Sequence, residues 1–167
     1  MRDQLILSVG RIAGLRVEEM EGLPVAKIMA LRLRGAGPAE TRKLSVEGKF
    51  AKTRDVSFPV ELLRQLQAYA LELRDRALEG SRQPEPAGLF VVHLGKARGR
   101  ALSIRGLQRA MEDLFIRAGL FELVPCKTAA GVQRLDGSGR PLLRPRARHS
   151  VHDLRRRDLL FLAAPAR

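Results

Sequence analysis

Three short stretches of this sequence gather the side chains whose types and spacing could do chemistry. Gly14-Leu15-Arg16-Val17-Glu18-Glu19-Met20 sets an arginine just past a glycine turn, at a helix start. Gly48-Lys49 opens a basic turn, Gly48-Lys49-Phe50-Ala51-Lys52-Thr53, between two runs that alternate polar and apolar residues, a hairpin signal. His152-Asp153-Leu154-Arg155 falls on the first turn of a helix, where residues three apart share a face, so His152 and Arg155 can reach one phosphate. Guanidinium groups stay charged at any working pH and grip two anionic oxygens at once. A lysine ammonium can deliver a proton to a leaving oxygen. No obvious metal-binding carboxylate pattern accompanies these residues, and neither a metal nor a cofactor is expected.

Charge points to the same ligand. Lys and Arg number 31 against 18 Asp and Glu, a net charge of +13 on 167 residues. Such an excess carries a positive field that attracts polyanions, and neutralising phosphates releases condensed counterions. Double-stranded DNA is the expected partner. A membrane is the weaker alternative, because no apolar run approaches the roughly 18 residues of a membrane span. A bland alternative is that the arginines reflect base composition in the source genome. The single cysteine, Cys126, excludes an internal disulfide and fits a reducing compartment. The apolar stretch at the N-terminus is too short and interrupted for a signal peptide, so a cytoplasmic protein is expected.

Residues 2–12 read as a helix, with Leu5, Ile6, Val9 and Ile12 at helical spacing. A second helical segment begins near Leu15–Met20 and ends before Pro24. From Ala26 to Phe58 the pattern is strand-like. Leu31–Arg34, Lys43–Glu47 and Arg54–Phe58 predict a three-stranded antiparallel sheet. Pro59 opens a long helix to about Glu79, with Leu62, Leu63, Leu66, Ala70, Leu73 and Ala77 as its buried stripe. Residues 80–88 form a linker before the apolar run Leu89–Leu94. Ser103 caps a helix that Gly119 ends. Residues 121–148 read as an irregular basic insertion with a turn at Asp136-Gly137-Ser138-Gly139, and a final helix starts at Ser150. The fold class is α+β, mainly helical, with a small sheet against a helical bundle, and the whole chain, 1–167, reads as one domain.

In order, spacing and context, the three stretches resemble the tyrosine recombinase (phage integrase) family, whose catalytic domain carries a Gly-Leu-Arg-x-x-Glu stretch, a Gly-Lys β-hairpin and a His-x-x-Arg box. The resemblance implies site-specific breaking and rejoining of DNA without a metal, by enzymes that work as tetramers on DNA. It assigns Arg16 and Arg155 as the paired catalytic arginines, Lys49 as the hairpin lysine, His152 as the first residue of the box, and Glu19 as the acid that steadies Arg16. Neighbouring Lys52, Arg54, Arg146, Arg148 and Arg156 are expected to contact DNA. The family's nucleophile is a tyrosine beyond the box, and no tyrosine follows Arg155 in this sequence. The expectation is therefore an incomplete catalytic domain that does not cut DNA as it stands.

Other readings compete. Tyr69, the only tyrosine, could be a relocated nucleophile, but it falls on the stripe of Leu62, Leu66 and Leu73, which packing explains. His149, His152, His93 and Cys126 match no recognised zinc spacing. Cys126 as a nucleophile lacks a nearby base in sequence. The rivals to a recombinase are a non-catalytic basic remnant that still grips duplex DNA, and a generic basic, RNA-associated protein with accidental motif matches.

Overall fold

The computed structural model describes residues 1–48, 52–81 and 84–150. Lys49, and the expected final helix with His152, Arg155, Arg156 and the apolar run Leu159–Leu162, lie outside the described residues. Helices α1 (Arg2–Ile12), α2 (Val17–Glu21) and α3 (Val25–Met29) lead into a hairpin of β1 (Thr41–Glu47) and β2 (Thr53–Pro59). Then come α4 (Val60–Tyr69), a π-helical turn (Ala70–Arg74), α5 (Asp75–Leu78), α6 (Ile104–Arg117) and a second hairpin, β3 (Phe121–Pro125) and β4 (Leu143–Ala147). The described architecture mixes helices with small antiparallel sheets, as an α+β class requires.

The core follows from the spacing of apolar residues. Leu5, Ile6 and Val9 of α1, Met20 of α2, Leu62, Leu63 and Leu66 of α4, and Leu107 and Met111 of α6 are buried together. The hairpin joins them through the inward positions of its pleat, Leu44 and Val46 on β1 and Val56 and Phe58 on β2. Each such side chain contributes about 1.5–3 kcal/mol when fully buried. At the start of α6, Ser103 Oγ accepts the Gly106 N–H at 3.2 Å, and Glu21 Oε1 of α2 accepts the Ile104 N–H at 3.1 Å. That second cap fastens α2, which carries the first motif, to α6.

Three expectations are corrected. The segment Leu31–Arg34 is not a strand, and among the described residues each sheet has two strands. Its backbone carbonyls are taken by side chains of α4 instead. Arg64 Nη2 donates to Leu33 O at 3.3 Å and Ala36 O at 2.6 Å, and Gln67 Nε2 donates to Ile28 O and Leu31 O, both at 2.9 Å. With those acceptors occupied, no ladder is needed to satisfy the segment. The expected long helix runs to Leu78 but widens into the π turn at Ala70–Arg74. Arg74, 2% exposed, there donates to Glu85 Oε1 at 2.7 Å and Pro86 O at 2.5 Å.

The third correction concerns 121–148, which is ordered rather than irregular. Phe121 pairs with Ala147 and Pro125 with Leu143, and beyond that ribbon two small lobes close through the bridges Lys127–Gln133 and Leu135–Pro141. Where the lobes meet, three backbone bonds form a ring. Cys126 donates to Leu142 O at 2.7 Å, Leu142 to Arg134 O at 2.9 Å, and Arg134 to Cys126 O at 2.8 Å. The expected turn closes the second lobe, as Asp136 Oδ1 accepts the N–H groups of Ser138 and Arg140 at 2.8 and 2.9 Å.

Candidate active site

Gly14 makes the site's first turn. Its φ of +66° is one that residues with a Cβ rarely adopt, and it delivers the chain into Arg16, the N-cap of α2. Arg16 has no side-chain acceptor for the helix's free N–H groups, but Glu19 supplies half of a capping box. Glu19 Oε2 accepts the Arg16 backbone N–H at 2.7 Å. Arg16 Nη1 reaches Glu19 Oε1 at 3.3 Å, and the arginine side chain keeps 49% of its surface in solvent while the glutamate side chain keeps none.

A second arginine holds the same carboxylate more firmly. Arg54 of β2 donates through Nε to Glu19 Oε1 at 2.9 Å and through Nη2 to Glu19 Oε2 at 2.8 Å, a bidentate grip. Its Nη2 also donates to Gly14 O at 3.2 Å, tying the hairpin to the turn before Arg16. The Arg54 hydrogen bonds bring the Glu19 carboxyl down from 4.5 to about 2, against the opposing effect of burial. Glu19 in turn raises the affinity of Arg54 for its proton. Glu19 is therefore an anion throughout the neutral range, and it fixes one guanidinium fully and the other partly.

The neck of the hairpin lies against this carboxylate. Gly48 N–H donates to Lys52 O at 2.8 Å. A Cβ on Gly48 would come within 3.3 Å of Glu19 Oε1, so a larger residue requires the acid or the neck to give by a few tenths of an ångström. The first two motifs of the sequence thus meet at one buried glutamate. Lys52 is exposed beside the neck. Lys49, next in the chain to Gly48, is outside the described residues, as are His152, Arg155 and Arg156.

The other expected residues are placed elsewhere. Arg146 is paired with Glu122 across the β3–β4 ribbon. Arg148 is exposed, and its backbone N–H donates to Leu120 O at 3.0 Å. His149 rests edge-on against Phe115 of α6, with ring centres 5.9 Å apart. Tyr69 is fully buried, its hydroxyl 3.0 Å from His93 Nε2, and the two rings are stacked. Burial raises the Tyr69 hydroxyl and lowers His93, the latter helped by the charge of Arg2. Tyr69 is a core residue with a satisfied hydroxyl. Among the described residues no cluster of three His, Cys, Asp or Glu is placed to hold a metal, and no helix is long and apolar enough to cross a membrane.

Sequence reasoning gave Arg54 to DNA and missed its grip on Glu19. The signal was present in the alternation of β2, which turns Arg54 inward with Val56 and Phe58. A charge on the inward face needs a buried partner of opposite sign.

Over 120 residues the chain is 30% identical to proteins named tyrosine recombinase XerC from two strains of Lactobacillus delbrueckii subsp. bulgaricus. The likeness is to tyrosine recombinases. The alignment covers 72% of this chain and 36% of those proteins, so the chain spans about a third of the length of the curated relatives it matches. No family model and no solved structure matches it.

Proposed function

We propose that this chain is part of the catalytic domain of a site-specific DNA recombinase of the tyrosine recombinase type, and that Arg16 faces the scissile phosphate. One observation carries the reading. The buried carboxylate of Glu19 holds Arg16 and Arg54, and Gly48 at the neck of the hairpin lies against it, although the hairpin is far from Arg16 in sequence. In this reading Glu19 and Arg54 are positioning residues, and Arg16 presents its exposed guanidinium to DNA. Attack on a phosphodiester builds negative charge on the non-bridging oxygens. Arg16, with Arg155 from the His-x-x-Arg box, stabilises that charge, usually the largest catalytic effect available. His152 lies on the same phosphate, and Lys49 gives its proton to the departing 5′-oxygen. Assembly as a tetramer on DNA belongs to the same proposal.

A non-catalytic reading, in which these 167 residues bind duplex DNA without cutting it, has its own support. Tyr69, the only tyrosine, is buried in the core. The test is a nicked suicide substrate incubated with this chain and, separately, a titration of duplex DNA against the wild type and Arg16→Ala. Binding weakened by Arg16→Ala, with no covalent adduct, fits a recombinase domain whose nucleophile is not among these residues. An adduct that disappears in Tyr69→Phe would refute the assignment of Tyr69 to the core. Unaltered DNA affinity in Arg16→Ala would refute the role given to Arg16.

A further inference from the structure

We propose that the 121–148 arm is a second DNA-gripping element, which holds the phosphate backbone of the duplex away from the reacting phosphate. The proposal rests on the reading that this chain acts on DNA, and adds to it a separate contact surface made by Arg134, Arg140, Arg144 and Arg148.

Residues 127–146 are exposed without interruption, so the arm beyond its base contributes almost nothing to the core, against which Ala147 packs. Ordering each residue costs about 1–2 kcal/mol. Local bonds offset that cost here: the ring at Cys126, Arg134 and Leu142, the ribbon ladder and the Asp136 turn. Packing of the domain gives no reason for such an arm, whereas a partner that it meets does.

The charge left over identifies that partner. Both carboxylates of the arm are already engaged. Glu122 is held by Arg146, and Asp136 accepts the backbone of its own turn, whose Arg140 N–H keeps its carboxyl below the usual range. Among the described residues, no ion pair engages Arg134, Arg140, Arg144 or Arg148. On β4, alternation puts Arg144 and Arg146 on one face, opposite Val124 and Glu122, and Arg148 continues it just past the strand. Arginines two apart on a strand are about 6.6 Å apart, so this row spans roughly 13 Å. That length of duplex carries roughly eight phosphates. A two-stranded ribbon also fits the major groove of B-DNA.

Strand addition is a poorer account. Pro125, Pro141 and Pro145 each remove a backbone donor, which discourages growth of the sheet from this ribbon. The opposite face, with Leu123 and Leu143, is exposed and apolar, and a protein docking there is the competing outcome.

The experiment measures duplex affinity across a salt series, and a nuclease footprint, for the full 167-residue chain and the variant Arg134→Gln/Arg140→Gln/Arg144→Gln. Circular dichroism and size-exclusion chromatography accompany both. We expect an unchanged melting temperature, a log–log salt slope shallower by about 2–3, one unit per lost phosphate contact, and a shorter footprint. The corresponding lysine variant should restore the slope. Arg16→Ala should weaken binding without shortening the footprint. If the wild type binds with steep salt dependence and the glutamine variant matches it in slope and footprint, the arm proposal is overturned and the DNA reading survives. If the glutamine variant alters only the association state of the chain, the arm is a protein contact and the proposal is again overturned. If the wild type shows no salt-dependent binding at all, the DNA reading falls and the arm proposal with it.

Discussion

The neck of the first hairpin and the tip of the second use the same residue, arginine, in opposite ways. At Glu19, two arginines converge on a carboxylate with no solvent exposure, and Arg54 is held there by two hydrogen bonds. In the arm, Arg134, Arg140, Arg144 and Arg148 stand in solvent on a scaffold whose two acids are engaged by Arg146 and by the backbone of the Asp136 turn. A buried acid converts arginine into architecture, because removing either partner strands the other in a poorly solvated place. An exposed arginine on a rigid ribbon keeps its charge available. Count of basic residues therefore says little about ligand contact; what matters is how many donors the nearest acid occupies, two on Arg54 and one on Arg16.

That contrast can be tested at several magnitudes. The largest expected effect is on DNA. With six or more phosphate contacts, affinity should fall by roughly 10³ between 50 and 200 mM salt. A fluorescence-anisotropy titration that barely changes over this range would break the comparison, since the exposed arginines would then have no polyanion to serve. Next comes Glu19→Ala, which should lower unfolding stability by about 2–3 kcal/mol in urea, while Arg144→Ala changes it by less than about 0.5 kcal/mol. Equal losses would show that the two regions are not distinct in kind.

Acid sharpens the same point. The Glu19 carboxyl is depressed from 4.5 to about 2 in the folded chain, so the unfolded chain takes up its proton first. Its contribution to stability is therefore complete above about pH 4.5 and is lost as pH falls toward 2. Thermal melts of wild type minus Glu19→Gln should converge over that window and run parallel at neutral pH. A smaller effect than that of Glu19 belongs to Tyr69→Phe, which removes the hydrogen bond to His93 and should cost about 1 kcal/mol. DNA affinity should be untouched.

Much of the helical frame was legible because its apolar residues keep a helical period. Leu5, Ile6 and Val9 mark α1, and Ser103 and Gly119 bracket α6. The first hairpin was legible from alternation. Leu31–Arg34 misled because two leucines flanking an arginine imitate a strand, while the donors that make it a loop, Arg64 and Gln67 of α4, lie some thirty residues on. The arm was illegible for a related reason: its ring joins Cys126, Arg134 and Leu142 by backbone bonds, which leave no trace in side-chain type. At the site, Arg16 and Glu19 were named from their motif. The bidentate role of Arg54 required knowing which face of β2 turns inward and what waits there.

The π turn at Ala70–Arg74 gives the helix after the hairpin a reading frame. A π turn takes up one residue more than an α turn, so everything after it is rotated by about 100° from where an uninterrupted α-helix would carry it. Arg74 and Ala77, both buried, depend on that offset. Deleting one residue from this turn would let the helix relax to regular geometry with Ala77 still facing the core, whereas a deletion elsewhere in the helix would turn the residues on its two sides against each other by about 100°. The helix can thus absorb a loss of length at this turn, and nowhere else along it. The exposed lobes of the arm, closed by turns and unattached to the core, tolerate changes of side chain and of length alike.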